Sequence, residues 1–161
     1  MKKIKDLSKA QKIGFFVFLV LSILTVIFIF SNSMKNGEAS SADSEWLSEL
    51  VANIINSIFK TSLAPVDTAA PVRTFAHFSE FALLAFCLSG AFYNLFEKAK
   101  KYFPWVFITT VTVALIDETI QLFSEGRAFQ LFDIFIDSSG GIFGFLFFLL
   151  IISIFTKNKN G

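Results

Sequence analysis

Apolar residues fall into four long blocks set apart by short polar stretches. Residues 13–30 carry no charge, and 75–96 are charge-free after Glu80. The block 102–124 is apolar up to Ile116 and then reads Asp117, Glu118, Thr119, Ile120, Gln121; 134–156 is charge-free after Asp137. A helix needs roughly 20 mostly apolar residues to cross a hydrocarbon core of ~30 Å, so each block is long enough to span. Lipid cannot satisfy an unpaired backbone, so the spans are expected as helices.

The connection 31–74 has its own pattern. Residues 31–44 are small and polar and read as loop. Trp46, Leu47, Leu50, Val51, Ile54, Ile55, Ile58 and Phe59 then recur at helical spacing, with Glu45, Ser48, Glu49, Asn53 and Asn56 on the other side. That predicts an amphipathic helix over about 44–60, capped by Asp43 or Ser44 and too polar to span. It is expected to lie along the outer interface or to lid the bundle. Pro65 and Pro71 interrupt the path into the second span. The fold class expected is all-α, a polytopic membrane bundle of four transmembrane helices plus an outer amphipathic helix.

Composition agrees with this picture. Of 161 residues, 54% are hydrophobic, only 17% are charged and 23 are phenylalanine. That excludes a disordered chain, a disulfide scaffold and most soluble enzymes. A single cysteine closes no intramolecular disulfide, and a net charge of +1 gives no reason to expect a nucleic-acid partner. Membrane lipids are the expected surroundings, and oligomeric state is left open.

Basic residues set the orientation. Lys2, Lys3, Lys5, Lys9 and Lys12 precede the first span, Lys98, Lys100 and Lys101 follow the second, and Lys157 and Lys159 end the chain, ten of the 14 Lys and Arg. Placing them in the cytoplasm of a bacterial membrane puts both termini inside and alternates consistently over four spans. A cleavable signal peptide ending near Ala39-Ser-Ser-Ala42 is the competing reading of the start. The first apolar run exceeds the usual 7–15 residues of such a segment, which favours an uncleaved helix.

Charge inside the spans carries the chemistry. Arg73, His77 and Glu80 are spaced i, i+4 and i+7, so they share one helix face. Asp117 and Glu118 lie one turn before Gln121, Arg127 follows in a short loop, and Asp133 and Asp137 open the last span at i, i+4. With the orientation above, three helices aim titratable groups at the outer level of the membrane. Burying an acid mid-membrane costs about 2.5–3.5 kcal/mol on insertion scales, so these positions call for a water-filled pocket or for mutual pairing. Gly140 and Gly144 form a GxxxG pair, read as helix packing.

Taken together the residues resemble the VanZ family of small membrane proteins. The resemblance runs through Phe30-Ser31-Asn32-Ser33, then Arg73 to Phe81 with His77 and Glu80. It is strongest from Asp117 to Arg127, and continues with Asp133, Asp137 and Gly140. Phe81 stands where the family often has Tyr, and Asp137 where Asn is common. The resemblance covers nearly the whole chain, so residues 1–161 read as one VanZ-like membrane domain. It implies a cell-envelope role, the family being named for a protein linked to lowered susceptibility to the glycopeptide teicoplanin. It supplies no reaction.

Three accounts fit the polar cluster. In the first, it binds a polar ligand at the outer face, a cell-wall precursor or a lipid head group. Arg73 and Arg127 then grip phosphate or carboxylate while the acids hold the arginines. In the second, the chain is an intramembrane hydrolase or transferase acting on a lipid-linked or phosphate-bearing substrate, with His77 as base or with His77, Glu80, Asp117 and Glu118 collecting a divalent cation. One histidine and no HExxH spacing count against a zinc hydrolase, and an oxygen-rich site for a hard cation such as Mg²⁺ suits that ligand set better. In the third, Arg73, His77, Glu80, Asp117, Glu118, Arg127 and Asp133 only pair with one another and lock three helices together. The residues leave open whether the chain is an enzyme, and a divalent cation, though compatible with them, is not the favoured reading.

Overall fold

The computed structural model describes residues 3–96 and 98–157. Lys2 and Lys159, used above for orientation, lie outside the described residues. The chain is all-α: a 3-10 turn at Ile4–Asp6 precedes α1 (Lys9–Ser33), α2 (Gly37–Phe59), α3 (Pro65–Leu95), α4 (Ala99–Gln121) and α5 (Leu131–Lys157), with no strand among the described residues. At ~1.5 Å per residue, α1, α3, α4 and α5 run about 37, 46, 34 and 40 Å. These four are long and apolar enough to cross a membrane.

Local chemistry explains where the helices begin and end. Ser8 caps α1 reciprocally: Gln11 N–H donates to Ser8 Oγ and Ser8 N–H to Gln11 Oε1. The loop expected over 31–44 is much shorter, because α1 continues to Ser33 and α2 starts at Gly37, well before residue 44. The cap is Asn36, whose side chain accepts from Ala39 N–H at 2.8 Å, so neither Asp43 nor Ser44 is needed. Pro65 and Pro71 do not interrupt the entry to the second span. Pro65 opens α3 at a position whose N–H needs no partner, with Asp67 accepting from Ala64 N–H, and Pro71 is carried inside the helix. The second span is therefore ten residues longer at its start than the apolar pattern predicts.

The amphipathic helix is most deeply buried at its small residues, with Leu47, Val51 and Ile55 partly covered beside them. Ser48 and Ala52 are its buried residues, and Thr68 Oγ1 of α3 donates to Ser48 O at 2.7 Å. Trp46, Leu50, Ile54 and Ile58 point away from the bundle. Small side chains let α2 and α3 approach closely, while the exposed apolar residues are suited to lipid.

Helices α1 and α3 run antiparallel. Leu7 and Phe15 pack on Ala91 and Leu95 at one end, while Asn32 meets Glu80 at the other. The main core joins Ile29 of α1, Phe81 and Leu84 of α3, Tyr102 and Val106 of α4 and Phe145 of α5, with edge-to-face contacts such as Tyr102–Phe145 at 5.7 Å. Tyr102, which would suit an interface anchor, is wholly buried. Phenylalanine, leucine and isoleucine cover the outside of α1 and α5, an apolar surface far larger than a soluble monomer exposes. Hydroxyls buried at mid-helix bond their own helix: Ser22 to Phe18 O, Thr25 to Leu21 O, Ser89 to Ala85 O and Thr110 to Val106 O.

Glycine sets the distance between α5 and α3. A Cβ on Gly140 would stand 2.3 Å from Phe78 O, and one on Gly144 1.9 Å from Ala82 O. The two helices therefore touch backbone to backbone along this stripe. Gly141 faces α4 instead, where a Cβ would meet Thr110 Cγ2 at 2.6 Å.

Candidate functional site

The polar residues gather at the end of the bundle that holds the C-terminus of α1. Helix α3 brings Arg73, His77 and Glu80 on one face, α4 ends there with Asp117, Glu118 and Gln121, and α5 begins there with Asp133 and Asp137. Asp117, Glu118, Gln121 and Asp137 are completely buried, whereas Asp133 is half-buried and makes no side-chain hydrogen bond among the described residues.

Gln121 is the hub. Its Nε2 donates to Asp117 Oδ2 and to Glu118 Oε1, each at 3.0 Å, and its Oε1 accepts from Arg73 Nη2 at 3.1 Å. One neutral amide thus joins both acids to an arginine that touches neither. The acids are completed by other neutral donors. Ser33 Oγ bonds Asp117 Oδ1, and Gln130 N–H donates to Glu118 Oε2 at 2.7 Å. Glu80 accepts from Asn32 Nδ2 at 3.0 Å. The expectation that the acids hold the arginines is corrected here. Among the described residues Arg73 and Arg127 make no ion pair, and the mutual-pairing account has only the His77 Nδ1–Asp137 Oδ1 approach at 3.7 Å.

Arg127 reaches the same region from the α4–α5 loop. That loop is pinned to the start of α2, because Gly37 N–H donates to Glu125 O at 2.9 Å and Gly126 turns with φ of 74°. The Nε of Arg127 is buried without a partner. Burial pulls its guanidinium below the ordinary value and Arg73 adds to the effect, against Asp117, Glu118 and Glu80. Two cations are thus held at one site without contacting the acids around them.

These residues frame a cavity of about 220 Å³ between α1, α2 and α3. Arg73, His77, Glu80 and Arg127 line it together with Asn32 and Ser33 from the end of α1 and Lys35 just after it. The first half of α2 forms its wall through Ser40, Asp43, Ser44 and Leu47, and Lys35 pairs with Asp43 at 2.6 Å. The interior acids Asp117, Glu118 and Asp137 lie behind this lining.

Asn32, Ser33 and Lys35 belong to the site although the charge pattern alone does not select them. Their signal is the change from apolar to polar residues in the last turn of α1, at the same end of the bundle as the acids. Gln130 contributes a backbone N–H, for which side-chain identity holds no signal. Ser79 and Ser124, two hydroxyls near the site, are turned to carbonyls, Ser79 to Phe75 O and Ser124 to Ser33 O, each at 2.7 Å. The cation set expected from sequence also changes. His77, Asp117 and Asp137 bring one ligand atom each within 4.8 Å of one another, and neither Glu80 nor Glu118 joins them.

A family model described as VanZ/LLP1 matches residues 16–153, which take in most of α1, all of α2, α3 and α4, and α5 up to Ser153. No curated protein and no solved structure gives a significant match.

Proposed function

The chain belongs to the VanZ/LLP1 family, and on that premise we propose that it is an envelope protein of the bacterial cytoplasmic membrane that holds an anionic head group in this cavity. Both termini are cytoplasmic in this reading, so the cavity opens at the outer face, where a lipid head group or a cell-wall precursor presents phosphate or carboxylate. The basic stretches support that orientation: Lys98, Lys100 and Lys101 lie beside the start of α4, at the end of the bundle away from the cavity.

One observation carries the binding reading: Arg73 and Arg127 line the cavity with no acid bonded to either. A structural ion-pair network would satisfy its arginines internally. Here Glu80, Asp117 and Glu118 are satisfied by amide, hydroxyl and backbone N–H donors, and apart from the Arg73 Nη2 bond to Gln121 the two guanidinium groups are left to take an anion. The orphaned Nε of Arg127 is the kind of buried donor that a ligand oxygen completes. A hydrolase or transferase with a serine nucleophile is less well supported, since both nearby serine hydroxyls are committed to backbone carbonyls.

Through this binding the protein is proposed to lower susceptibility to glycopeptides, teicoplanin in particular. The test compares teicoplanin and vancomycin susceptibility of cells making the protein, its Arg73→Gln/Arg127→Gln variant, or neither, at matched membrane abundance. A teicoplanin-selective shift present with the wild type and absent with the variant is expected. No shift, or one the variant retains, contradicts the antibiotic role.

A further inference from the structure

Behind the cavity wall, three helices bring one metal-binding side chain each to within 4.8 Å of one another: His77 from α3, Asp117 from α4 and Asp137 from α5. We propose that these three residues hold a divalent cation, Zn²⁺ in the first instance, at the junction of the helices.

Asp137 has no exposed surface, and neither of its carboxylate oxygens has a partner. The facing His77 Nδ1 is also buried and unpartnered. A carboxylate with two empty oxygens beside an unused imidazole nitrogen is costly in a protein interior and rare in native structures. The 3.7 Å between His77 Nδ1 and Asp137 Oδ1 is too long for a hydrogen bond. It is close to the edge of a tetrahedron around Zn²⁺, about 3.4 Å for bonds of ~2.1 Å.

Charge supports the same reading. Two carboxylates, Asp117 and Asp137, are brought together in an environment of low dielectric where like charges are costly. A divalent ion brings the three-residue set to zero net charge. One imidazole and two carboxylates suit Zn²⁺ better than the all-oxygen cages taken by Mg²⁺ or Ca²⁺. Three protein ligands also leave a coordination position for an outside oxygen, and His77 lines the cavity.

The surroundings hold the ligands in place. Asp117 is fixed by Ser33 Oγ and Gln121 Nε2, the kind of outer hydrogen bonding that orients a ligating carboxylate. Gly140, one turn after Asp137, lets α5 approach Phe78, the residue after His77. The glycine contact therefore brings Asp137 within reach of the imidazole. This proposal does not depend on the arginines.

The test uses the full chain purified in detergent without a polyhistidine tag. It is stripped with a chelator, reloaded with Zn²⁺ and freed of excess, and bound metal is measured by mass spectrometry alongside thermal unfolding. The wild type is expected to retain one ion per chain and to unfold at a higher temperature when loaded. Asp137→Asn and His77→Gln should fall to background and lose the thermal shift, while Lys100→Gln, at the other end of the bundle, keeps both. A wild type that retains no zinc and shows no shift overturns the proposal. Retention unchanged in either variant overturns it as well, because it marks adventitious binding. If one variant fails to fold, the other variant and the wild-type readouts still decide.

Discussion

Gln121 does the work that an arginine–carboxylate pair would do elsewhere, because its amide can donate to two acids and accept from Arg73 at once. Gln121→Leu leaves three buried polar groups without that partner. It is expected to lower stability in detergent by about 3 kcal/mol, at one lost hydrogen bond of ~1 kcal/mol per group. Gln121→Glu tests the polarity of the hub. It can still meet Arg73 but loses both donations and sets a third carboxylate beside two others, so it should be no milder than Leu; a near-neutral effect in thermal unfolding would contradict this assignment. At this scale the sequence was informative about charge and silent about partners. The spacing of Arg73, His77 and Glu80, and of Asp117 with Gln121, follows from helix geometry, so that they share a region was legible. That the acids turn to Ser33, Gln130 and Gln121 rather than to the arginines depends on how helices rotate against one another, which spacing does not fix.

Among the elements, α5 and α2 show opposite sides of the same rule. The stripe Gly140 and Gly144 lets α5 contact α3 through backbone, and the GxxxG spacing was enough to expect it. Gly144→Ala places its new methyl 1.9 Å from Ala82 O, a backbone atom, so the helices must part. A loss of about 1–3 kcal/mol or more is expected in thermal unfolding. Gly141→Ala meets a side chain rather than backbone at 2.6 Å and should cost less. In α2 the large apolar residues at helical spacing mark an amphipathic helix, but its fully buried contacts are Ser48 and Ala52. The large residues are satisfied by lipid, a solvent in which hydrophobicity no longer says which side faces protein. The early start of α2 was hidden for a related reason: serines and alanines over 38–44 read as loop, yet Asn36 caps them and Glu38 suits the first turn.

For the whole molecule, four long apolar blocks fixed the architecture, since few other folds bury so little charge in so many continuous runs. Their ends were less legible, and α3 gains ten residues before its apolar block because Pro65 starts the helix. The orientation is a claim at this scale. With Cys87 replaced by Ser, a single cysteine at Ser41 or Glu125 should react with a membrane-impermeant thiol reagent added to intact cells. One at Lys100 should react only after the membrane is opened. The reverse pattern would turn the cavity to the cytoplasm and remove any contact with the outer envelope.

Direct binding tests the central claim, that the two unpaired arginines receive an anionic head group. The measurement is native mass spectrometry of the detergent-purified protein with a short-chain phosphatidic acid, against a short-chain phosphatidylcholine, for the wild type and for Arg73→Gln/Arg127→Gln. A charge-assisted hydrogen bond is worth about 1.5–3 kcal/mol, so losing one or more should weaken binding about tenfold or beyond. The account predicts saturable binding of one phosphatidic acid by the wild type, weak binding of phosphatidylcholine, and the loss of that preference in the variant. Equal binding of the two lipids by the wild type, or an unchanged preference in the variant, would contradict it.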